Sequence, residues 1–275
     1  MSAPKAPPPL PDAAEVIDSH CHLDGAAFAD DRPTVIERAR AAGVSAMITI
    51  GASDGVETNA AAVAVAEEFD MVWATVGVHP HDARIVNNSV LDDLRRLAEH
   101  PKVVGIGETG LDYYYEHSPR ERQREAFRLF LELARATDLP CVVHLREAYD
   151  DAVTIMREAN ASEIGGVIHC FSGNREDARR FLDLGFDISF SGIVTFKNAD
   201  EIRTVAHLVP SDRFLLETDA PYLTPVPNRG RRNEPAFVNF TAEAVADARG
   251  APITEVVAQA TANTRRRFRL PDSPR

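Results

Sequence analysis

EVIDSHCHLDGAAFADDRPTVIERARAAGVSAMITI, residues 15–50, contains the structural repeat from which the architecture of this chain can be predicted. It opens and closes with short apolar runs, at 15–23 and 45–50, whose β-branched residues are typical of strands. Between these runs, residues 31–43 have helical apolar spacing and end at Gly43, where a left-handed helix cap is expected. The stretch therefore predicts a strand–helix–strand unit of the kind found in parallel sheets covered by helices.

The same alternation continues along the rest of the chain. Six further apolar runs follow, at 71–80, 103–113, 140–146, 165–171, 186–192 and 213–221. Helical patterns separate them, for example at 119–138, where one apolar face contains Phe127, Phe130, Leu131 and Ala134. About eight strand–helix repeats in roughly 250 residues match a (β/α)8 barrel, whereas a doubly wound open sheet normally has fewer strands.

We predict a single-domain (β/α)8 TIM barrel over residues 15–270, with extra C-terminal helices at 234–250 and 253–268. The proline- and alanine-rich residues 1–14 precede the barrel and are predicted to form a disordered leader. This leader lacks the apolar segment of a signal peptide. No apolar run in the chain approaches the roughly 18 residues that span a membrane, so no membrane partner is expected.

The composition argues against several classes of protein. Three cysteines, an odd number without regular spacing, argue against a disulfide framework and predict a reduced, cytoplasmic setting. The formal net charge of −12 argues against a broad nucleic-acid-binding surface. A local phosphate site is compatible with this charge, because bound cations can dominate the electrostatic field around them.

Histidines are concentrated where the predicted strands end. His20 and His22 lie two residues apart in the first run, so both side chains project from the same face of a strand. His79, His144 and His169 end the third, fifth and sixth runs. Barrel enzymes place their chemistry at the carboxyl ends of the strands, and this distribution therefore predicts one common site.

Two carboxylates follow the same rule. Glu108 lies in the fourth run and Asp219 in the eighth, both within apolar sequence where an unpaired carboxylate would be costly. One catalytic zinc takes three protein ligands, so six converging donors suit two divalent ions better than one. The predicted metal ligands are His20, His22, Glu108, His144, His169 and Asp219.

The simplest allocation divides the imidazoles between two ions: His20 and His22 with Asp219 on one, His144 and His169 on the other. Glu108 then bridges the two ions, with a hydroxide between them as the nucleophile. Asp219 could also orient or deprotonate the attacking water. Mixed nitrogen and oxygen ligands do not select among zinc, manganese and magnesium.

Strand parity places Cys21, Cys141 and Cys170 on the faces opposite the histidines, which argues against thiolate ligands. Asp18 and Glu217 share faces with the predicted ligands, one layer deeper in the barrel. Either carboxylate could orient an imidazole, and either could equally form a buried ion pair without a part in catalysis.

The chain resembles the TatD-type metal-dependent deoxyribonucleases, a branch of the amidohydrolase-like barrels, in the motifs DSHCHLD, GVHPH, GIGETGLDYY, VVHLREA, IHCFSG, LLETDAPYL and NEP. The resemblance covers about residues 16–268, and its most specific parts are GETGLDY and LLETDAPYL. It implies the same six metal ligands. It also implies that His79, in GVHP, contacts the scissile phosphate or the leaving group.

Four side chains at the predicted rim are candidate substrate contacts: His79, Arg146, Lys197 and Arg229. Donors at such positions suit phosphodiester hydrolysis, which requires charge stabilisation on the phosphoryl oxygens. For Arg146 and Lys197, a solvated loop charge is an equal alternative. The tyrosines at 113–115 could stack on a nucleobase or pack against neighbouring loops.

The predicted function is that of a divalent-metal-dependent phosphodiesterase, a 3'-5' exonuclease on single-stranded DNA ends, with RNA as a further substrate. An acidic protein with few rim cations should hold a strand end and show weak salt dependence of binding. The first alternative is hydrolysis of an ester, lactone or aminoacyl bond, for example in aminoacyl-tRNA deacylation. The second is a non-catalytic binding protein in quality control. The sequence leaves the oligomeric state undetermined.

Overall fold

Eight parallel strands follow one another in chain order in the computed structural model, which describes residues 4–11, 14–52 and 55–271. Their bounds are β1 Val16–Cys21, β2 Val44–Ile50, β3 Val72–Val76, β4 Val103–Asp112, β5 Cys141–Arg146, β6 Gly166–Ile168, β7 Phe186–Phe190 and β8 Phe214–Leu216. The segment after β8 returns to β1 through a parallel bridge between Cys21 and Ala220. The sheet is therefore a nearly closed barrel, which confirms the predicted (β/α)8 fold.

Helices lie between the strands and after the last of them. Their bounds are α1 Arg32–Ala41, α2 Glu57–Glu68, α3 Asn88–Ala98, α4 Arg120–Thr137, α5 Tyr149–Glu158, α6 Arg175–Asp183, α7 Asp200–Leu208, α8 Val238–Arg249 and α9 Ile253–Phe268. Gly43, with a φ of +91°, follows α1 as the sequence predicts, because a left-handed backbone there suits glycine. α8 and α9 confirm the predicted extra C-terminal helices.

Two apolar clusters form the core. The larger cluster packs the helices on the outside of the sheet and includes the predicted face of α4, with Phe127 and Phe130 fully buried. The smaller cluster joins residues near the start of several strands, such as Ile17 and Val104, to Phe268 at the end of α9. This cluster fills the amino-terminal end of the barrel, and the polar site lies at the opposite end.

Residues 4–11 of the predicted leader run against the barrel. The main chain of Lys5 exchanges two hydrogen bonds of 2.9 Å with the side chain of Asn228. The buried Asn239 donates to Pro8 O at 2.9 Å, and Leu10 packs on the larger apolar cluster. Residues 1–3, 12 and 13 lie outside the described part, and the division of the chain into leader and domain stays a prediction. Across the described ranges, the helices are too short or too polar to span a membrane.

Candidate metal centre

The six predicted ligands converge at the carboxyl end of the barrel. They come from the ends of five strands or the residues just after them: His20 in β1, His22 after it, Glu108 in β4, His144 in β5, His169 after β6 and Asp219 after β8. All six are buried or nearly buried. The sequence prediction that separate strands bring these side chains to one place is therefore matched by the geometry.

Glu108 lies at the centre of the group. Its Oε1 is 2.8 Å from His169 Nε2 and 3.0 Å from His144 Nδ1. The same oxygen is 3.5 Å from His79 Nε2, and the other oxygen is 3.4 Å from His20 Nε2. One carboxylate thus lies between imidazoles from four different positions of the rim, an arrangement that would allow it to bridge two cations.

Asp219 reaches the site differently from the sequence prediction. The eighth apolar run of the sequence extends to residue 221, but β8 ends at Leu216, so strand parity does not orient Asp219. Its backbone is left-handed, with a φ of +58°, and its N–H donates to His20 O at 2.9 Å. The side chain then lies 3.2 Å from His22 Nε2 and 3.6 Å from His20 Nε2. A tertiary contact with β1, rather than the alternation of a strand, positions this carboxylate.

The donor set fits cations. Three groups of ligand atoms within 4.8 Å of one another are His20, His22 and Glu108; His79, Glu108 and His144; and His20, His169 and Glu217. Counting only described residues, His20 Nε2 is buried without a hydrogen bond, although carboxylate oxygens lie nearby. Lone pairs that face carboxylates in a buried site are satisfied by a positive ion, and imidazole with carboxylate suits zinc or manganese. The number and identity of the ions stay a prediction.

The electrostatics of the group favour ionised carboxylates. Burial raises the pKa of Glu108, but the adjacent His169 and His79 outweigh it and hold the pKa well below its usual value. Burial likewise raises the pKa of Asp219, and the hydrogen bond with His22 brings it below its usual value. The same contact raises the pKa of His22 to about 9 against the opposing effect of burial. Both carboxylates are therefore available to a cation at neutral pH.

The two deeper carboxylates have different surroundings. Glu217 Oε1 lies 3.3 Å from His169 Nδ1 and accepts the N–H of Cys170 at 2.8 Å, so it contacts an imidazole of the site. Asp18 instead bonds to the N–H and hydroxyl of Thr218, at 2.9 and 2.6 Å. Burial raises the pKa of Asp18 to about 8 despite these hydrogen bonds. The sequence left two alternatives for these carboxylates, orientation of an imidazole or a buried ion pair. The contact with His169 fits the first alternative for Glu217, whereas the contacts of Asp18 with Thr218 fit neither.

The three cysteines are free and take no part in the ligand groups of the described residues. Cys21 and Cys141 are fully buried in the larger apolar cluster, as parity predicts. Cys170 follows His169 with a φ of +45°, and its Sγ lies 3.2 Å from Ser191 Oγ.

The predicted cationic contacts lie apart from the six ligands. Arg146 stacks on the rings of Tyr114 and Tyr115, with its guanidinium carbon 4.0 and 4.7 Å from the ring centroids. Arg229 stacks on Phe196 at 3.7 Å, and Lys197 is exposed. Within the described ranges, no hydrogen bond or ion pair joins these three cations to the ligand set. Their role as substrate contacts stays a prediction.

Sequence reasoning missed Asp112 and its contact with His81. Asp112 is the last residue of β4, and its Oδ2 lies 3.0 Å from His81 Nε2 and 3.2 Å from His144 Nε2. Burial raises the pKa of Asp112, but the hydrogen bonds with His144 and His81 hold it below its usual value. Strand parity favours the same face for Asp112 as for Glu108, four residues earlier, but it does not predict the contact with His144.

Known proteins are similar to this chain in sequence over nearly its whole length. The TatD related DNase family matches residues 17–269. The uncharacterized metal-dependent hydrolase YabD of Bacillus subtilis is 41% identical over 255 residues, which cover 93% of this chain and 99% of that protein. The 3'-5' ssDNA/RNA exonuclease TatD of Erwinia tasmaniensis is 39% identical over 260 residues, covering 93% of this chain and 100% of that protein.

A solved structure of a TatD homolog is also similar to this chain. The crystal structure of YjjV, a TatD homolog from Escherichia coli K12, superposes with a TM-score of 0.87 at 31% identity. The superposition covers 93% of this chain and 98% of that one. The chain belongs to the TatD related DNase family, and it is a metal-dependent hydrolase built on a (β/α)8 barrel.

Proposed function

We propose that this hydrolase is a phosphodiesterase that removes nucleotides from single-stranded DNA ends in the 3'-5' direction, and that RNA ends are a further substrate. The observation that carries the proposal is the position of Glu108 among four imidazoles, with Asp219 beside them. The name of the Erwinia relative, an ssDNA/RNA exonuclease, supports the choice of substrate.

Two divalent ions would be held by the six predicted ligands, with Glu108 between the two sets of imidazoles. When bound, such ions lower the pKa of water and polarise phosphoryl oxygens. The mixed nitrogen and oxygen donors suit zinc or manganese, and magnesium less well. The side chains themselves supply orientation and proton transfer.

Asp219 is the better placed of the two carboxylates to accept a proton from the attacking water. Its side chain is 13% exposed, compared with 4% for Glu108, which is enclosed by imidazoles. A general base must reach the reacting water directly, and the more open carboxylate can do so. Glu108 is expected to remain fixed as a ligand.

His79 offers a hydrogen-bond donor to the substrate. Its Nδ1 accepts the N–H of His81 at 3.2 Å, which leaves the proton on Nε2. That Nε2 lies 3.5 Å from Glu108 Oε1 and therefore faces the site. An N–H directed there can bind an oxygen of the scissile phosphate or of the leaving group.

Rim cations favour an anionic substrate over a neutral ester. Among the residues that the structure describes, Arg146 and Arg229 stack on aromatic rings and have no carboxylate within ion-pairing distance. Both guanidinium groups are thus available to phosphate, and Tyr114 and Tyr115 expose about half of their surface beside Arg146. A chain with a net charge of −12 should hold a few nucleotides with weak salt dependence.

The test is a cleavage panel with the full chain reconstituted with zinc, manganese or magnesium. We expect digestion of 3'-end-accessible single-stranded DNA, no digestion when the 3' end is blocked, and weaker activity on duplex. Robust cleavage of lactones or aminoacyl esters without nuclease activity would overturn the proposal. Digestion that starts at the 5' end would reject the assigned direction.

Replacing Glu108 by Gln should reduce kcat by at least about 100-fold, because the carboxylate between the imidazoles is lost. Metal content measured on the same samples should fall below that of the wild type. Glu132→Gln on the exposed face of α4 is the matched control and should keep both properties. Full activity in Glu108→Gln would show that Glu108 does not bridge.

We further propose a cytoplasmic location, supported by the three free cysteines. Fractionation of the source cells would test it, and recovery of the chain outside the cytoplasm would reject it.

A further inference from the structure

Asp112 occupies an unusual position at the end of β4. Its side chain is 1% exposed, yet it is not among the predicted ligands. Oδ1 accepts the backbone N–H groups of Tyr114 and Tyr115 at 3.0 and 2.9 Å. Oδ2 lies 3.0 Å from His81 Nε2 and 3.2 Å from His144 Nε2. One buried carboxylate therefore connects the tyrosine loop, a rim histidine and a histidine of the metal centre.

The contacts of Asp112 favour a proton on Nε2 of His144. An ionised carboxylate only accepts hydrogen bonds, and its two oxygens have about four acceptor positions. Two backbone N–H groups fill the positions on Oδ1, so both imidazoles are expected to donate to Oδ2. His144 then has a proton on Nε2. Its Nδ1 lies 3.0 Å from Glu108 Oε1, where a lone pair can face the carboxylate only with a cation between the two atoms.

Asp112 is itself held by the barrel. Its backbone N–H donates to Gln123 Oε1 at 2.7 Å, and its backbone carbonyl accepts from Gln123 Nε2 at 3.0 Å. The same Nε2 also donates to Ser118 O at 2.8 Å, and Gln123 is fully buried. A side chain fixed in this way can impose a single orientation on the imidazole that it contacts.

We propose that Asp112 is a positioning residue that fixes His144 as the Nε2–H tautomer, so that Nδ1 is presented to the metal ion. It does not contact substrate or metal itself, and it acts through His144. The inference rests on the metal-binding part of the proposed function and is independent of the substrate. Partners of this kind that hold a ligand histidine typically change metal affinity by about 10–100-fold when removed.

Asp112→Asn is the central test, because an amide of the same size has one oxygen and an NH₂ group that cannot accept from an imidazole. We expect the affinity for one divalent ion, measured by competition with a chelator without substrate, to fall about 10–100-fold. Manganese is the probe ion. An affinity within twofold of the wild type would overturn the proposal.

Asp151→Asn is the matched control. Asp151 is also a rim aspartate, which binds the hydroxyl of Tyr113 at 2.6 Å and Arg124 at 2.8 Å, but no imidazole. This variant should keep the manganese affinity of the wild type. An equal loss in both variants would assign the effect to the loop as a whole and reject the specific role of Asp112.

A second measurement reads the ring nitrogens of His144 directly and does not need Asp112→Asn to fold. Ring-nitrogen NMR of the zinc-loaded wild type, with His144 assigned by comparison with His144→Gln, should show a proton on Nε2 and none on Nδ1. A proton on Nδ1 of the zinc-loaded protein would overturn the proposal. A wild type that bound no divalent ion would reject the proposed function as well, whereas equal manganese affinity in the wild type and Asp112→Asn would reject only the role of Asp112.

Discussion

At the residue scale, the side chains of the site meet one another's hydrogen-bonding and charge requirements only in part. Glu108 lies close to nitrogen atoms of His20, His79, His144 and His169, at distances between 2.8 and 3.5 Å. Removing so many polar groups from water is costly unless a charge partner is present. The cost is consistent with a site shaped for cations. The basic side chains at the rim are not enclosed in this way. Arg146, for example, stacks on tyrosine rings at the surface.

Arg146→Ala should raise KM for single-stranded DNA about 10-fold, since a charge-assisted contact of about 1.4 kcal/mol or more is lost. The kcat value should change less than about twofold, because Arg146 does not contact the ligand set. Steady-state kinetics with a short end-labelled strand measure both constants. Arg157→Ala, an exposed arginine near the end of α5, is the control. An unchanged KM in Arg146→Ala would remove this residue from the substrate site.

At the element scale, buried side chains of helices hold the strand ends that carry the site. Asn59 in α2 accepts the N–H of Gly77 at 2.7 Å and donates to its carbonyl at 3.0 Å. Gly77 follows β3, and a Cβ on it would lie 2.7 Å from the backbone of Gly107, the neighbour of Glu108. Close approach of these two chain segments therefore requires glycine and is held in place by one amide side chain.

Asn59→Ala should lower the free energy of unfolding by roughly 2–4 kcal/mol, because a buried N–H and a buried carbonyl lose their partner. Urea denaturation of the metal-free protein measures the change. Asn88→Ala, at an exposed position in the first turn of α3, should change the free energy by less than about 0.5 kcal/mol. A loss below about 1 kcal/mol in Asn59→Ala would mean that water replaces the amide.

At the scale of the whole molecule, an ionic cluster joins the amino-terminal end of the barrel to its last helix. Asp187 in β7 is fully buried and lies 2.6 Å from Arg213 Nε and 2.8 Å from Arg267 Nε. Arg266 adds a third contact at 3.5 Å. Arg266 and Arg267 at the end of α9 thus have a structural role, as partners of a buried carboxylate. They anchor the helix whose Phe268 fills the end of the barrel.

Asp187→Asn should lower the free energy of unfolding by about 3 kcal/mol, because partly buried guanidinium groups are left without a counter-charge. Thermal denaturation should show a fall of roughly 6–12 °C for a chain of this size. Manganese affinity should be unchanged, since Asp187 lies at the end opposite the site. Asp183→Asn removes an exposed contact with Arg179 and should have almost no effect. Lost manganese affinity in Asp187→Asn would contradict the separation of the two ends.

The sequence by itself determined the order of eight strands and the choice of the six candidate ligands. Both follow from local rules: apolar periodicity identifies a strand, and parallel strands in a barrel end on the same side. Only the tertiary structure decided how Asp219 enters the site, since β8 ends early and a hydrogen bond to His20 sets its direction. The same holds for Asp112 with His144 and for Asn59 with Gly77. The residues of these two pairs lie 32 and 18 positions apart in the sequence. Such contacts form only when separate elements pack together, so a local sequence pattern does not predict them.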